Sequence, residues 1–280
     1  MKGMIFLDDY EKNLVGIIPA GGFGKRMMPF KMWKELIPVG YKICSASEEN
    51  GVVPKVVAEY TLENMLCAES KKIVFVINDQ KTELLRFFGN GEQYDSNIAY
   101  VCQDSKTGFY GLPFAIDAAY MWTKNQTVLM GMPDTINEPL DCFSRLVEVH
   151  GENKADLTLG VFPTDHPCRL APVILDENTG RVLKIYDKPK KTDVFNTWNI
   201  AVWSSNFTEL LHLMVKDFMS SEQNKKTEML LSNIFNAAIE NGMNVHGVYF
   251  PDGRCHDLGT LEDLIKTRSQ IEGINQHECY

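Results

Sequence analysis

Short, uninterrupted apolar runs alternate with longer amphipathic stretches along the first half of the chain. Residues 14–18 predict a buried strand that ends in a glycine turn. Residues 56–67 follow with a helical rhythm, then 72–78 as a strand and 82–88 as a helix. The same alternation continues with a strand at 98–103, a helix at 112–122, a strand at 127–132 and a helix near 143–150. Strands that are apolar on both faces, separated by helices, predict βαβ units and a mostly parallel sheet covered on both sides. After residue 150 the pattern changes. Strands are expected at 157–162, 171–175, 182–186 and 198–203, with a turn at Asp176-Glu177-Asn178-Thr179-Gly180. Helices return at 207–219 and 228–241, then a strand at 245–250 and a closing helix at 261–271. The expected architecture is α/β and Rossmann-like. A mostly parallel mixed sheet carries helices on both faces and an inserted, more antiparallel portion. No linker or repeat divides the 280 residues, so one domain is expected.

Composition narrows the classes. Lys and Arg number 28 against 37 Asp and Glu, a net charge of −9, which disfavours a duplex-DNA face. Hydrophobic residues make up 44%, enough for a core and too many for disorder. No apolar run reaches the ~18 residues of a membrane span, and residues 4–7 are too short for a signal-peptide core. The seven cysteines are odd in number and contain no CxxC pair, which argues against a disulfide framework. A reducing, cytoplasmic setting is expected.

The most informative segment leaves the first strand as Pro19-Ala20-Gly21-Gly22-Phe23-Gly24-Lys25-Arg26-Met27. Glycines let backbone N–H groups approach a ligand, and Lys25 and Arg26 offer cationic donors to phosphate oxygens. The competing reading is a tight turn beside a solvated basic pair. Spacing excludes a P-loop, because Lys25 is followed by Arg26 and the earlier glycine position holds Pro19. It also excludes the dinucleotide fingerprint, because Gly22 and Gly24 lead to Met27.

This segment, followed by Trp33-Lys34-Glu35-Leu36-Ile37-Pro38-Val39, resembles the opening of the sugar nucleotidyltransferases. It resembles glucose-1-phosphate thymidylyltransferase-like enzymes among them, and the match to the broad family is stronger than the match to any one activity. Lys25 stands where those enzymes have Thr, and Trp33 where they have Pro. Further segments follow in the family's order: Gln103 with Gly111-Leu112-Pro113, Gly131-Met132-Pro133-Asp134, Arg169-Leu170-Ala171-Pro172, Asp187-Lys188-Pro189, and Asp257-Leu258-Gly259-Thr260. The resemblance spans about residues 14–271.

The resemblance implies coupling of a nucleoside triphosphate to a sugar 1-phosphate, with release of pyrophosphate. Residues 14–150 would form the nucleotide part and 151–272 the acceptor part. Ala20, Gly21, Gly22, Gly24 and Lys25 would wrap the triphosphate, while Arg26, Lys34 and Lys188 would act as the catalytic cations. Gln103 and Gly111 would read a pyrimidine base. Asp187, Asn199 and Glu228 would line the acceptor pocket, and Asp134 and Asp257 would hold Mg²⁺. The implied partners are the triphosphate and the phosphorylated sugar, with neither nucleic acid nor membrane, and with room for a homo-oligomer. Ala171-Pro172, where Gly-Val is expected, and Asn199, where Gly is expected, leave a non-sugar phosphorylated acceptor open. A catalytically silent regulatory homologue is the non-enzymatic alternative.

Overall fold

The computed structural model describes residues 13–22, 32–44, 51–104 and 107–275. Thirteen strands and eight α-helices lie within them. In the first half these are β1 (Leu14–Pro19), β2 (Pro38–Cys44), β3 (Gly51–Val56), α1 (Val57–Cys67), β4 (Lys72–Ile77), α2 (Thr82–Phe88), β5 (Asn97–Cys102), α3 (Leu112–Ala118), α4 (Tyr120–Thr123), β6 (Thr127–Gly131), β7 (Thr135–Glu138) and α5 (Cys142–Glu152). The second half contributes β8 (Leu157–Pro163), β9 (Val173–Leu175), β10 (Val182–Ile185), β11 (Asn196–Trp203), α6 (Ser205–Met219), α7 (Leu231–Glu240), β12 (Val245–Tyr249), β13 (Arg254–Asp257) and α8 (Leu261–Asn275).

Seven strands form the central sheet in the order β12-β8-β11-β6-β1-β4-β5. β1 pairs in parallel with β4 and β6, β4 with β5, and β8 with β12; β11 runs antiparallel between β6 and β8. The period-2 alternation of β1 sends its side chains to two cores. Val15 and Ile17 join Phe114 of α3, Leu211 of α6 and Phe235 of α7. Leu14 and Ile18 join Leu62 of α1, Leu84 of α2 and Phe143 of α5. The expected helix-covered mixed sheet is therefore what the chain forms, and every strand and helix read from the apolar pattern has its counterpart.

Two expected helices end differently. Residues 112–122 do not make one helix. The Ala119 N–H turns back to Ile116, in a 3₁₀-like closure, and separates α3 from α4. The helix expected from residue 228 begins only at Leu231. Before it, Met229 donates to the Tyr110 carbonyl, and Glu228 bridges Tyr110 in an extended pairing. Two short pairings escape the apolar pattern: the β2–β3 hairpin and β7 with β13.

Within the central sheet the first three strands in chain order, β1, β4 and β5, step outward on one side, and β6 then returns to the other side of β1. The crevice beyond the carboxyl ends of β1 and β6 is thus a topological switch point, where open α/β sheets bind ligands.

Within the core, His150 of α5 is fully buried and bonds Thr158 of β8 at 3.1 Å. Burial lowers its pKa from about 6.5 to about 4, against the opposing pull of Asp156. The neutral ring is favoured on folding, so its contribution is complete above pH 6.5 and is lost as pH falls through 6.5 towards 4. At 1.36 kcal/mol per pH unit, about 3 kcal/mol should disappear across that window. Urea denaturation at pH 7 and pH 4 checks this against His150→Gln. Equal losses in both proteins would show that His150 is not responsible.

Candidate active site

A cavity of about 310 Å³ opens at the switch point. Of the sequence-predicted residues, Lys34, Asp134, Asp187, Lys188, Asn199, Glu228 and Asp257 all line it. They come from separate parts of the chain, and the fold explains their convergence. Asp134 follows β6 by three residues, at the carboxyl end of a parallel strand. Asp257 ends β13, which pairs with β7 so that Asp257 faces Thr135 across the ladder. The Leu258 N–H donates to the Asp134 carbonyl at 2.9 Å, tying the two aspartate segments together.

Lys34 begins a 3₁₀ turn, Lys34–Leu36, closed by the Leu36 N–H on Trp33 and the Ile37 N–H on Lys34. Its ammonium donates to Asp134 Oδ2. Burial pulls the Lys34 pKa down, but Asp134, with Glu35 and Asp257 behind it, outweighs burial and holds it above the ordinary lysine value. Lys34 is therefore a permanent cation at neutral pH.

On the far side of the cavity, Asp187 and Lys188 are exposed. Lys188 has φ +43°, a left-handed conformation that costs a lysine ~1–2 kcal/mol. Its N–H donates to the Leu170 carbonyl at 2.8 Å, which fixes that conformation. The lining also includes Arg169, Trp198, Ser232 and Cys255, none of which was assigned a role from the sequence. Trp198 Nε1, Asn199 Oδ1 and Ser232 Oγ are buried without a hydrogen-bond partner among the described residues. Such atoms cost ~1–3 kcal/mol each when unsatisfied.

The remaining predicted residues divide into two groups. Ala20, Gly21 and Gly22 follow β1, and Gln103 follows β5 on the same edge of the sheet. Gly21 and the Gln103 side chain are in close approach, since a Cβ at Gly21 would lie 2.4 Å from Gln103 Oε1 and would displace that amide. The structure thus sets the glycine turn against Gln103, outside the cavity lining. Gly111 caps α3, one residue before Leu112 of the lining, with φ +130°. A Cβ at Gly111 would meet the Met229 carbonyl at 2.1 Å, so only glycine permits that approach. Gly24, Lys25 and Arg26 lie outside the described residues.

The lining holds four carboxylates, Asp134, Asp187, Glu228 and Asp257, against three cations, Lys34, Arg169 and Lys188. That excess of hard oxygen donors suits a divalent cation. No group of three or more His, Cys, Asp or Glu able to hold a metal occurs among the described residues. An ion that takes two carboxylates and completes its shell with substrate phosphates fits Asp134 and Asp257; Mg²⁺ binds in that way. Cys255 beside them is a half-buried thiol whose pKa is pushed up by burial and by the two aspartates.

Residues 15–273 match the nucleotidyl transferase family. A glucose-1-phosphate thymidylyltransferase of Streptomyces antibioticus is 23% identical over 258 residues. That alignment covers 91% of this chain but only 65% of the longer relative. Among solved structures, one from Bacillus anthracis, described as a glucose-1-phosphate thymidylyltransferase in complex with sucrose, superposes with a TM-score of 0.76. It is 18% identical, with 92% of this chain and 95% of that one covered. A UDP-glucose pyrophosphorylase complexed with UDP-glucose superposes at 0.72, with 13% identity and coverage of 94% and 99%. At these identities the superpositions speak for the fold. No helix among the described residues is long and apolar enough to cross a membrane.

Proposed function

The chain belongs to the nucleotidyl transferase family, and from that premise we propose that it couples a nucleoside triphosphate to a sugar 1-phosphate, releasing pyrophosphate. The observation that carries this reading is the convergence of Lys34, Asp134, Asp257, Asp187 and Lys188 on one cavity at the switch point. No general base is required, because the acceptor phosphate already carries a nucleophilic oxygen. That oxygen attacks the α-phosphorus in line, and pyrophosphate leaves from the opposite side. The protein's part is positioning and charge neutralisation.

Each residue then has a task. Lys34 sits in the nucleotide half and neutralises phosphate charge near the reacting phosphorus. Lys188 sits in the acceptor half, where its strained backbone aims a cation at the incoming phosphate. Asp187 and Glu228 accept from acceptor hydroxyls, and Asn199 lines the same part of the pocket. Asp134 and Asp257 would hold Mg²⁺, which supplies charge stabilisation to the phosphates. By resemblance, Arg26 and the glycine turn take the departing pyrophosphate. Gln103, packed on Gly21, reads the base from the same edge of the sheet.

The test is pyrophosphate release across a panel of triphosphates and phosphorylated acceptors. A pyrimidine triphosphate (dTTP, UTP or CTP) is expected to exceed ATP and GTP. Gln103→Ala should narrow that preference by roughly 1–3 kcal/mol, the cost of an unpaired buried group. A purine preference would overturn the base assignment alone. Turnover only with a non-sugar phosphate would favour the second acceptor class, for which Asn199 and its unpaired oxygen are the structural reason. Nucleotide binding with no turnover on any pair would mark a regulatory homologue.

A further inference from the structure

We infer that Lys81 and Glu35 form a positioning pair that holds Lys34 in line with Asp134. The inference rests on the reading of Lys34 and Asp134 given above, and no motif in the sequence points to either partner. Lys81 is 0% exposed and Glu35 1%, and the Lys81 ammonium donates to Glu35 Oε1 at 2.6 Å. Glu35 Oε2 is buried with no hydrogen-bond partner among the described residues. The pair is therefore not arranged for maximal stability. Replacing such a buried pair with apolar residues of the same size is often neutral or stabilising.

Its position shows what it does. Lys34 and Glu35 are consecutive in a 3₁₀ turn, where neighbouring side chains point about 120° apart. Anchoring Glu35 inward on Lys81 turns Lys34 outward into the cavity, onto Asp134. The resulting row, Lys81, Glu35, Lys34, Asp134, alternates in sign. Trp33 closes the inner end, with its ring centroid 5.1 Å from Lys81 Nζ and its Nε1 donating to Glu83 at 3.0 Å. The turn that carries Lys81, after β4, also grips the glycine segment. The Lys81 N–H donates to the Asn78 carbonyl, and Asn78 Nδ2 donates to the Gly21 carbonyl at 2.8 Å. The turn after β4 thus braces both phosphate-facing segments from behind without touching the cavity.

Two variants test this. Lys81→Met with Glu35→Leu removes both charges and keeps the volume, and Glu35→Gln keeps the shape and an acceptor oxygen. Each is assayed by thermal melting, by steady-state pyrophosphate release and by competitive amine labelling of Lys34 read by peptide mass spectrometry. The double variant is expected to melt at or above the wild-type temperature, with the acceptor KM unchanged and kcat about tenfold lower, the cost of a misplaced catalytic group. Labelling of Lys34 should rise several-fold, because the amine is no longer held on Asp134. Should the double variant fail to fold, Glu35→Gln carries the test with the same expected directions in kcat and in labelling, and with a lower melting temperature, because the buried Lys81 loses its counter-charge. Wild-type kcat and wild-type Lys34 labelling in a folded variant would overturn the inference. Labelling needs no turnover. Raised labelling in a protein that transfers no nucleotide would uphold the pair and remove the proposed reaction instead.

Discussion

Asparagine at Asp134 or at Asp257 is expected to lower turnover at least about a hundredfold, the scale of removing one electrostatic contact to a transition state. The substitution is nearly isosteric. Asp134 is 4% exposed and its main chain is fixed by Leu258, so the cavity should keep its shape. What changes is charge. The cavity loses one of the two carboxylates that can complete a Mg²⁺ shell with substrate phosphates. Asp134→Asn also strips Lys34 of its counter-charge, so a modest fall in melting temperature should accompany it. Asp257→Asn leaves the hydrogen bond between Lys34 and Asp134 in place, so its loss of stability should be smaller than that of Asp134→Asn. Pyrophosphate release titrated with Mg²⁺, beside thermal melting, separates the two effects. Full activity of the wild-type protein in excess chelator would end the metal assignment.

Both aspartates stand out in the sequence through motifs of several residues, Asp134 just after the expected strand at 127–132 and Asp257 at the head of Asp257-Leu258-Gly259-Thr260. The long buried strands were legible for a similar physical reason. A strand such as β1, buried on both faces, leaves a continuous apolar run. β3 does not. Its sequence Gly-Val-Val-Pro-Lys-Val alternates between partial and full exposure, and Pro54 and Lys55 interrupt the run. β7 and β13 are four residues each, too short for any period to show. The late start of α7 was hidden too, since Glu228, Met229 and Leu230 are all good helix formers. Only the distant Tyr110 makes them extended. The same non-locality conceals Lys81 and Glu35, which are 46 positions apart. It conceals Trp198 and Ser232 as well. A lone tryptophan and a lone serine signal nothing until the fold leaves their polar atoms unpaired at one cavity.

Lys34→Met is expected to move two quantities in opposite directions. Turnover should fall by about a hundredfold, because the variant removes a fixed cation from beside the reacting phosphates. Binding of Mg²⁺ to the protein without nucleotide should instead tighten. The Lys34 ammonium occupies Asp134 Oδ2, an oxygen the metal would need. A hydrogen bond to a charged group contributes ~1.5–3 kcal/mol, so releasing Asp134 from it should strengthen Mg²⁺ roughly tenfold or more. Deprotonation of Lys34 cannot relieve the competition at neutral pH, since burial pulls its pKa down but Asp134 outweighs burial and holds it above the ordinary lysine value. In the wild-type protein the phosphates of the triphosphate would draw Lys34 away from Asp134 and free the oxygen at the same time. Nucleotide and metal should therefore bind with positive coupling, and the variant should lose most of it. Isothermal titration of Mg²⁺, with and without a non-hydrolysable triphosphate, measures both affinities. Weaker Mg²⁺ binding in Lys34→Met than in the wild type would mean that Lys34 organises Asp134 for the metal rather than competing with it.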